Sequence, residues 1–239
     1  MLYEELSCKG GESPCLPRTI LEMHAGEAMW DWLKSSKTVA SKQELDNSPM
    51  ETVHEQPSKH KVIVITGTSG SGRKNTATQL SAYLGIPHVI PYTTRAIRPS
   101  ERNGEHYHFI SDGEFQAMSD KQAFFQKVHL ERGHYGISKE ELFQALEVHH
   151  TAIVVVNQEG AQVFRKQFGN GAIRIFIYVT KDDIRLRLER EAAPFEVMEE
   201  YLRNYPEQVI YKKESEFLLQ NIESETTINK IVAFLQDKL

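Results

Sequence analysis

The sequence predicts an α/β protein on an open parallel sheet, and three observations point to it. From Lys59 onward, strand-like apolar runs alternate with helical segments, the rhythm of a sheet crossed by helices. Thr151-Ala152-Ile153-Val154-Val155-Val156 is an unbroken apolar run, as expected of a parallel strand covered on both faces. Val62-Ile63-Val64-Ile65 breaks into a glycine- and serine-rich turn and then a helical stretch. Parallel neighbours require right-handed crossovers, which the intervening helices supply.

The 239 residues suit one domain of ordinary size with an appendage. Residues 1–58 are polar apart from a short patch at Ala28-Met29-Trp30-Asp31-Trp32-Leu33. Such a segment buries too little surface to offset its ordering entropy. It is expected to be a mostly disordered extension, with Trp30 and Trp32 as a weak docking patch and a translation start at Met50 as an alternative. Cys8 and Cys15 fall within it; two unpaired thiols are the simpler reading, a disulfide the other.

The domain is expected over 59–239. The strand at 61–66 leads through the turn to a helix over 73–84, closed by Gly85. An extended piece spans 87–91, and 92–110 reads as polar and irregular. A short helix is expected at 112–118, a strand at 123–128 and a helix at 139–147. The run at 151–156 is the next strand, followed by a helix at 159–168 and a strand at 173–179. Helices follow at 182–191 and 196–213, the second with Pro206 as an obstacle. A strand at 217–222 and an amphipathic helix at 226–238 close the chain, with Ile228, Ile231, Val232 and Leu235 as core positions.

The net charge of -5 argues against a general affinity for nucleic acid or anionic membrane. No apolar run approaches the ~20 residues of a spanning helix. Met1-Leu2-Tyr3-Glu4-Glu5 lacks the basic and apolar regions of a secretion signal, so a cytoplasmic location is expected. His106, His108, His129, His134, His149 and His150 do not fall at the spacing of a zinc site, and no metal ligand is assigned. Lys212-Lys213 reads as a solvated pair.

The chemistry begins at Gly67-Thr68-Ser69-Gly70-Ser71-Gly72-Arg73-Lys74-Asn75. Strand, glycine turn and helix N-terminus together cradle phosphate, because amides and the helix dipole face the anion. The spacing Gly67-x-x-x-x-Gly72 fits the loop G-x-x-x-x-G-K-[ST]. Arg73 stands where the lysine belongs, and Lys74 where the Mg²⁺-binding hydroxyl belongs. Sliding the register by one makes Lys74 the phosphate lysine and Asn75 the Mg²⁺ contact, with an extra loop residue.

A second stretch is basic. Between Lys59 and Ile110 there are seven Lys or Arg against two Glu, Glu101 and Glu105. Arg95 and Arg98, three apart and near Tyr107, suit a bidentate grip on phosphate, against the simpler reading of arginines paired with glutamates on a solvated loop.

The loop, the run Thr93-Thr94-Arg95-x-x-Arg98-x-x-Glu101-x-x-Gly104-x-x-Tyr107 and the later Gly133-His134-Tyr135-Gly136 resemble guanylate kinase. The resemblance covers 59–239. It implies a P-loop nucleoside monophosphate kinase fold with a core, a monophosphate-binding lobe at about 92–150 and a lid at about 187–203. Arg95, Arg98, Tyr107 and Tyr135 would hold the acceptor's phosphate, with Glu101 orienting the arginines. Arg187 or Arg190, with Arg203, would be lid arginines clamping the transferred group. The loop residues, Arg73 and Lys74 included, would hold ATP, with Mg²⁺ as the companion cation and GMP or dGMP as the acceptor.

The departures matter as much. The acidic residue that reads guanine falls at Gln126, and two further family aspartates fall at Val155 and Asn157. Family serines fall at Pro91 and Ile137, the latter followed by Ser138. Three readings follow: a kinase for GMP or dGMP, a kinase for another monophosphate, or a binding module without turnover that holds a nucleotide or a phosphorylated or acidic partner. Scaffold domains of this type also carry G-x-G-R-R in the loop.

Overall fold

A computed structural model of the chain describes residues 59–99 and 101–239; the expectations for 1–58, including Trp30, Trp32, Cys8 and Cys15, lie outside them. Within these residues the strands are β1 (Lys61–Gly67), β2 (Tyr92–Thr93), β3 (His108–Phe109), β4 (Phe124–Leu130), β5 (Gly133–Ser138), β6 (Thr151–Val155), β7 (Ala172–Tyr178) and β8 (Phe217–Gln220). The helices are α1 (Arg73–Leu84), α2 (Asp112–Asp120), α3 (Lys139–His149), α4 (Gln158–Phe168), α5 (Lys181–Arg190), α6 (Phe195–Ile210) and α7 (Ser224–Leu235).

The core sheet has the order β6-β1-β7-β8 and is parallel throughout. The alternation of β1 sends Ile63 and Ile65 to one face, where they join Ala77 and Leu80 of α1 and Ile228, Ile231 and Leu235 of α7 in one buried cluster. Val62 and Val64 point to the other face and are also fully buried, with α4 packed against the strand. Burial on both faces explains why these strands read as continuous apolar runs.

A second sheet has the order β3-β2-β5-β4, with β5 antiparallel to both β2 and β4. It corrects two expectations. The irregular stretch at 92–110 contains two short strands, and 133–138 forms a strand that its Gly-His-Tyr-Gly sequence does not announce. Both gain their order from pairing with residues distant in sequence. Phe115 of α2 stacks on Phe124 at 4.4 Å and fixes that helix to the sheet.

Four helix starts are chemically marked. Ser111 with Glu114 and Thr180 with Asp183 form capping boxes, while Ser138 and Asn157 cap α3 and α4. Helices α5 and α6 form a hairpin in which Ile184 and Leu188 pack on Val197, Met198, Tyr201, Leu202 and Tyr205. Pro206 lies inside α6, and the α-helix ends at Ile210 rather than 213, passing into a 3-10 turn at Tyr211–Glu214.

Candidate active site

At the C-terminal end of β1 the chain turns through Gly67, Gly70 and Gly72, all at positive φ. A Cβ on Gly67 would stand 1.8 Å from the Ile177 carbonyl oxygen, so only glycine fits between β1 and β7 there. Gly72 caps α1 at φ 83 and lies against Asn221, whose Nδ2 is 2.8 Å from where its Cβ would be. Asn221 anchors the loop from the sheet edge: its Nδ2 donates to the Ser71 carbonyl at 2.7 Å, and its Oδ1 accepts from Thr227 Oγ1 at 2.8 Å. The hydroxyls of Thr68 and Ser71 are buried without a hydrogen-bond partner, leaving two loop donors uncommitted.

The two basic residues that follow have their partners outside the loop. The Arg73 guanidinium reaches the Val156 carbonyl at 3.4 Å; burial lowers its pKa, and Tyr107, Tyr201 and Tyr135 oppose that. Lys74 Nζ lies 2.8 Å from Glu101 Oε1 and 4.4 Å from the centre of the Tyr107 ring. Asn75 is turned along its own helix, its Oδ1 accepting from Gln79 Nε2 at 3.2 Å.

Facing the loop is the basic stretch. Arg95 forms a two-pronged pair with Glu101, Nη1 to Oε2 at 2.8 Å and Nη2 to Oε1 at 3.0 Å. The Arg98 amide donates to the same carboxylate at 3.1 Å. Burial alone would raise the Glu101 pKa, but the hydrogen bonds from Arg95 and Lys74 outweigh it and bring it down to about 2. Tyr107 and Tyr135 meet edge to face at 5.8 Å beside Arg95, so cations and two phenols converge. The register Val128↔Tyr135 and Gln126↔Ile137 puts Gln126 deeper along the strand by two residues, roughly 7 Å. Gln126 is 8% exposed and lines the same cleft.

The cleft has a volume of about 1170 Å³ and is bounded by the loop, the second sheet and the helical hairpin. Arg187 of α5 donates to the Gly70 carbonyl at 3.3 Å and to the Asn221 carbonyl, which puts a guanidinium on the loop. Arg203 pairs with Glu131 at 2.9 Å on the surface, and Arg190 is exposed. Of the arginines expected in the lid, Arg187 is brought to the phosphate loop in this conformation and the other two are not.

Four residues that sequence reasoning missed also belong to the site. Gln208 of α6 accepts from the Ser69 amide at 2.7 Å and donates to its hydroxyl at 3.0 Å. Tyr201 accepts from both terminal nitrogens of Arg98, at 3.2 and 3.3 Å. His88 lines the cleft; burial first, and then Lys74, depress its pKa to about 4. Asn221 is the fourth. None carries a local motif, and an isolated amide or phenol becomes functional only through what the fold sets beside it.

The guanylate kinase family model matches residues 59–238. The chain belongs to the guanylate kinase family. The guanylate kinase of Rhizobium etli is 26% identical over 180 residues, 73% of this chain and 81% of that protein. The guanylate kinase of Campylobacter jejuni is 28% identical over 178 residues, 73% of this chain and 87% of that protein. In fold, the chain is similar to the crystal structure of guanylate kinase from Anaplasma phagocytophilum, with a TM-score of 0.62 at 20% identity, covering 75% of this chain and 86% of that one. By family the chain is a nucleoside monophosphate kinase with the P-loop fold, and guanylate kinases in general use ATP and Mg²⁺.

The donors present do not suit a protein-held Mg²⁺. The position of the hydroxyl ligand is Lys74, the strand β6 runs out through Val155, Val156 and Asn157, and the Asn157 Oδ1 is engaged by the Gly160 amide at 2.9 Å. Among the described residues no three His, Cys, Asp or Glu side chains gather as a metal site. No helix among them is long and apolar enough to cross a membrane.

Proposed function

We propose that this guanylate kinase family member transfers the terminal phosphoryl group of ATP to GMP or dGMP in the cytoplasm. The observation that carries the reading is the Arg95–Glu101 pair with Tyr107 and Tyr135, set in one cleft with the glycine loop. That grip is built for a doubly charged, tetrahedral oxyanion. An acceptor phosphate oxygen held there forms a bond to the γ-phosphorus as the bond to the β–γ bridging oxygen breaks, giving two nucleoside diphosphates. The protein's task in such a transfer is alignment and charge neutralisation.

Each group has a part in this reading. Loop amides and the head of α1 receive the donor's phosphates. Glu101 keeps the Arg95 guanidinium in plane, so little rotamer freedom is lost when the acceptor binds. Arg187 neutralises charge at the loop. The α5–α6 hairpin acts as a lid, already joined to the loops of the second sheet through Arg98–Tyr201, Arg203–Glu131 and Arg132–Glu200, and its closure excludes water.

The test is ATP consumption by the full chain with GMP, dGMP, AMP, CMP and UMP in turn. GMP-dependent ADP formation at about 1–100 s⁻¹ is expected, with Arg98→Ala lowering it on the order of 10²-fold. Turnover with AMP, CMP or UMP alone would reassign the acceptor. A second reading, a module that binds a nucleotide or an acidic partner without turnover, is favoured by the Arg73 guanidinium lying on the Val156 carbonyl instead of over the loop. Bound GMP with no ADP formed would decide for it.

A further inference from the structure

We propose that Lys74 is a resident cation standing in for a divalent ion at the head of α1, so that this chain binds the donor's terminal phosphates without Mg²⁺. The inference rests on the loop being the donor's phosphate site.

Lys74 is the second residue of α1, where backbone amides and the helix dipole already favour an anion. Its ammonium is not free to wander. Glu101 holds it at 2.8 Å, the Tyr107 ring lies beneath it at 4.4 Å, and Glu101 is itself fixed by Arg95 and the Arg98 amide. The same carboxylate therefore tethers one cation from the donor loop and one from the acceptor grip. In this proposal the Lys74 ammonium serves a phosphoryl group passing from one site to the other.

The chemistry of the position supports an ammonium over a metal. A lysine has three donors and no lone pair, so it repels a cation from the point where a hydroxyl would coordinate one. At the end of β6, Val155 and Asn157 offer no carboxylate to recruit the ion from the other side. What a divalent ion would supply to bound phosphates is positive charge, and here the Lys74 ammonium, held by Glu101, carries that charge on the chain itself.

The experiment is calorimetric titration of the full chain with the non-hydrolysable analogue adenylyl imidodiphosphate, once in Mg²⁺ and once in excess EDTA. Wild type should bind in both, with affinities within roughly threefold of each other. Lys74→Ser should lose about 10- to 100-fold in EDTA, the worth of one charge-assisted hydrogen bond, and recover much of it in Mg²⁺. Thermal unfolding of the variant checks that it is folded. Wild-type binding that collapses in EDTA, no binding in either buffer, or a folded Lys74→Ser as tight as wild type in EDTA would each overturn the proposal. GMP turnover separates the two ideas: EDTA-insensitive binding without turnover sinks the kinase reading alone, and turnover with EDTA-sensitive binding sinks this one alone.

Discussion

Gln208 holds Ser69 by two hydrogen bonds, accepting from its amide at 2.7 Å and donating to its hydroxyl at 3.0 Å. In the proposed function, a side chain of the helical hairpin thus occupies a loop amide that a phosphate oxygen would take. Gln208→Ala removes the competitor and leaves the loop glycines untouched. We expect it to tighten binding of adenylyl imidodiphosphate by roughly 2- to 10-fold, the worth of one or two net hydrogen bonds. Equilibrium titration measures this, and unchanged or weaker binding would show that the contact supports the loop instead of blocking it.

Glu101 gives a pH signature. Its pKa falls from an ordinary 4.5 to about 2 in the fold, so the folded state binds fewer protons than the unfolded one in that window. Its stabilisation is complete above pH 4.5 and is lost as the pH falls towards 2. Urea unfolding of wild type and Glu101→Gln should show a gap that is widest at neutral pH and closes in acid. A gap independent of pH would mean that the carboxylate's charge contributes nothing.

The loop glycines should differ in tolerance. An added methyl at Gly67 meets the Ile177 carbonyl at 1.8 Å, a backbone atom fixed in the sheet, whereas at Gly72 it meets the end of the Asn221 side chain at 2.8 Å. Both sites also carry positive φ, costing on the order of 1–3 kcal/mol for a non-glycine residue. Gly67→Ala should therefore fail to give folded protein, and Gly72→Ala should fold with a lowered Tm. The reverse order in thermal melts would contradict the packing described for β1 and β7.

Base choice should respond to Gln126. A neutral amide offers guanine one acceptor and one donor, while a carboxylate accepts from both N1–H and N2–H. Gln126→Glu should raise the kcat/KM preference for GMP and dGMP over AMP, CMP and UMP by about 10-fold, the scale of one charge-assisted bond. Steady-state rates across the acceptor panel decide it. An unchanged preference would place base recognition elsewhere in the cleft.

Much of the core was legible because its signals are local. The unbroken apolar run at 151–156 is the code of a strand covered on both faces, and β6 occupies most of it. The turn at Gly67 to Gly72 announces itself through residues that only a tight loop before a helix requires. The Thr93-to-Tyr107 run pointed to a cluster of charged and phenolic side chains, and the fold brings Arg95, Glu101 and Tyr107 together. The strand at 133–138 was missed, since glycine, histidine and tyrosine acquire strand geometry there by pairing with Tyr92–Thr93 and with β4. The end of α6 was placed too late, at 213 instead of 210, because composition around Lys212-Lys213 does not register the passage into a tighter turn.

By itself, the sequence determined the alternation of strands and helices, the glycine loop, and the basic stretch that follows it. These depend on periodicity, on φ, and on side-chain charge, which are properties of neighbours along the chain. Only the tertiary structure decided where the long polar side chains point: Lys74 onto Glu101 27 residues away, Arg187 onto Gly70 across 117 residues, and Gln208 onto Ser69 across 139. A long polar side chain has several low-energy rotamers, and the one adopted is chosen by a partner that the fold delivers.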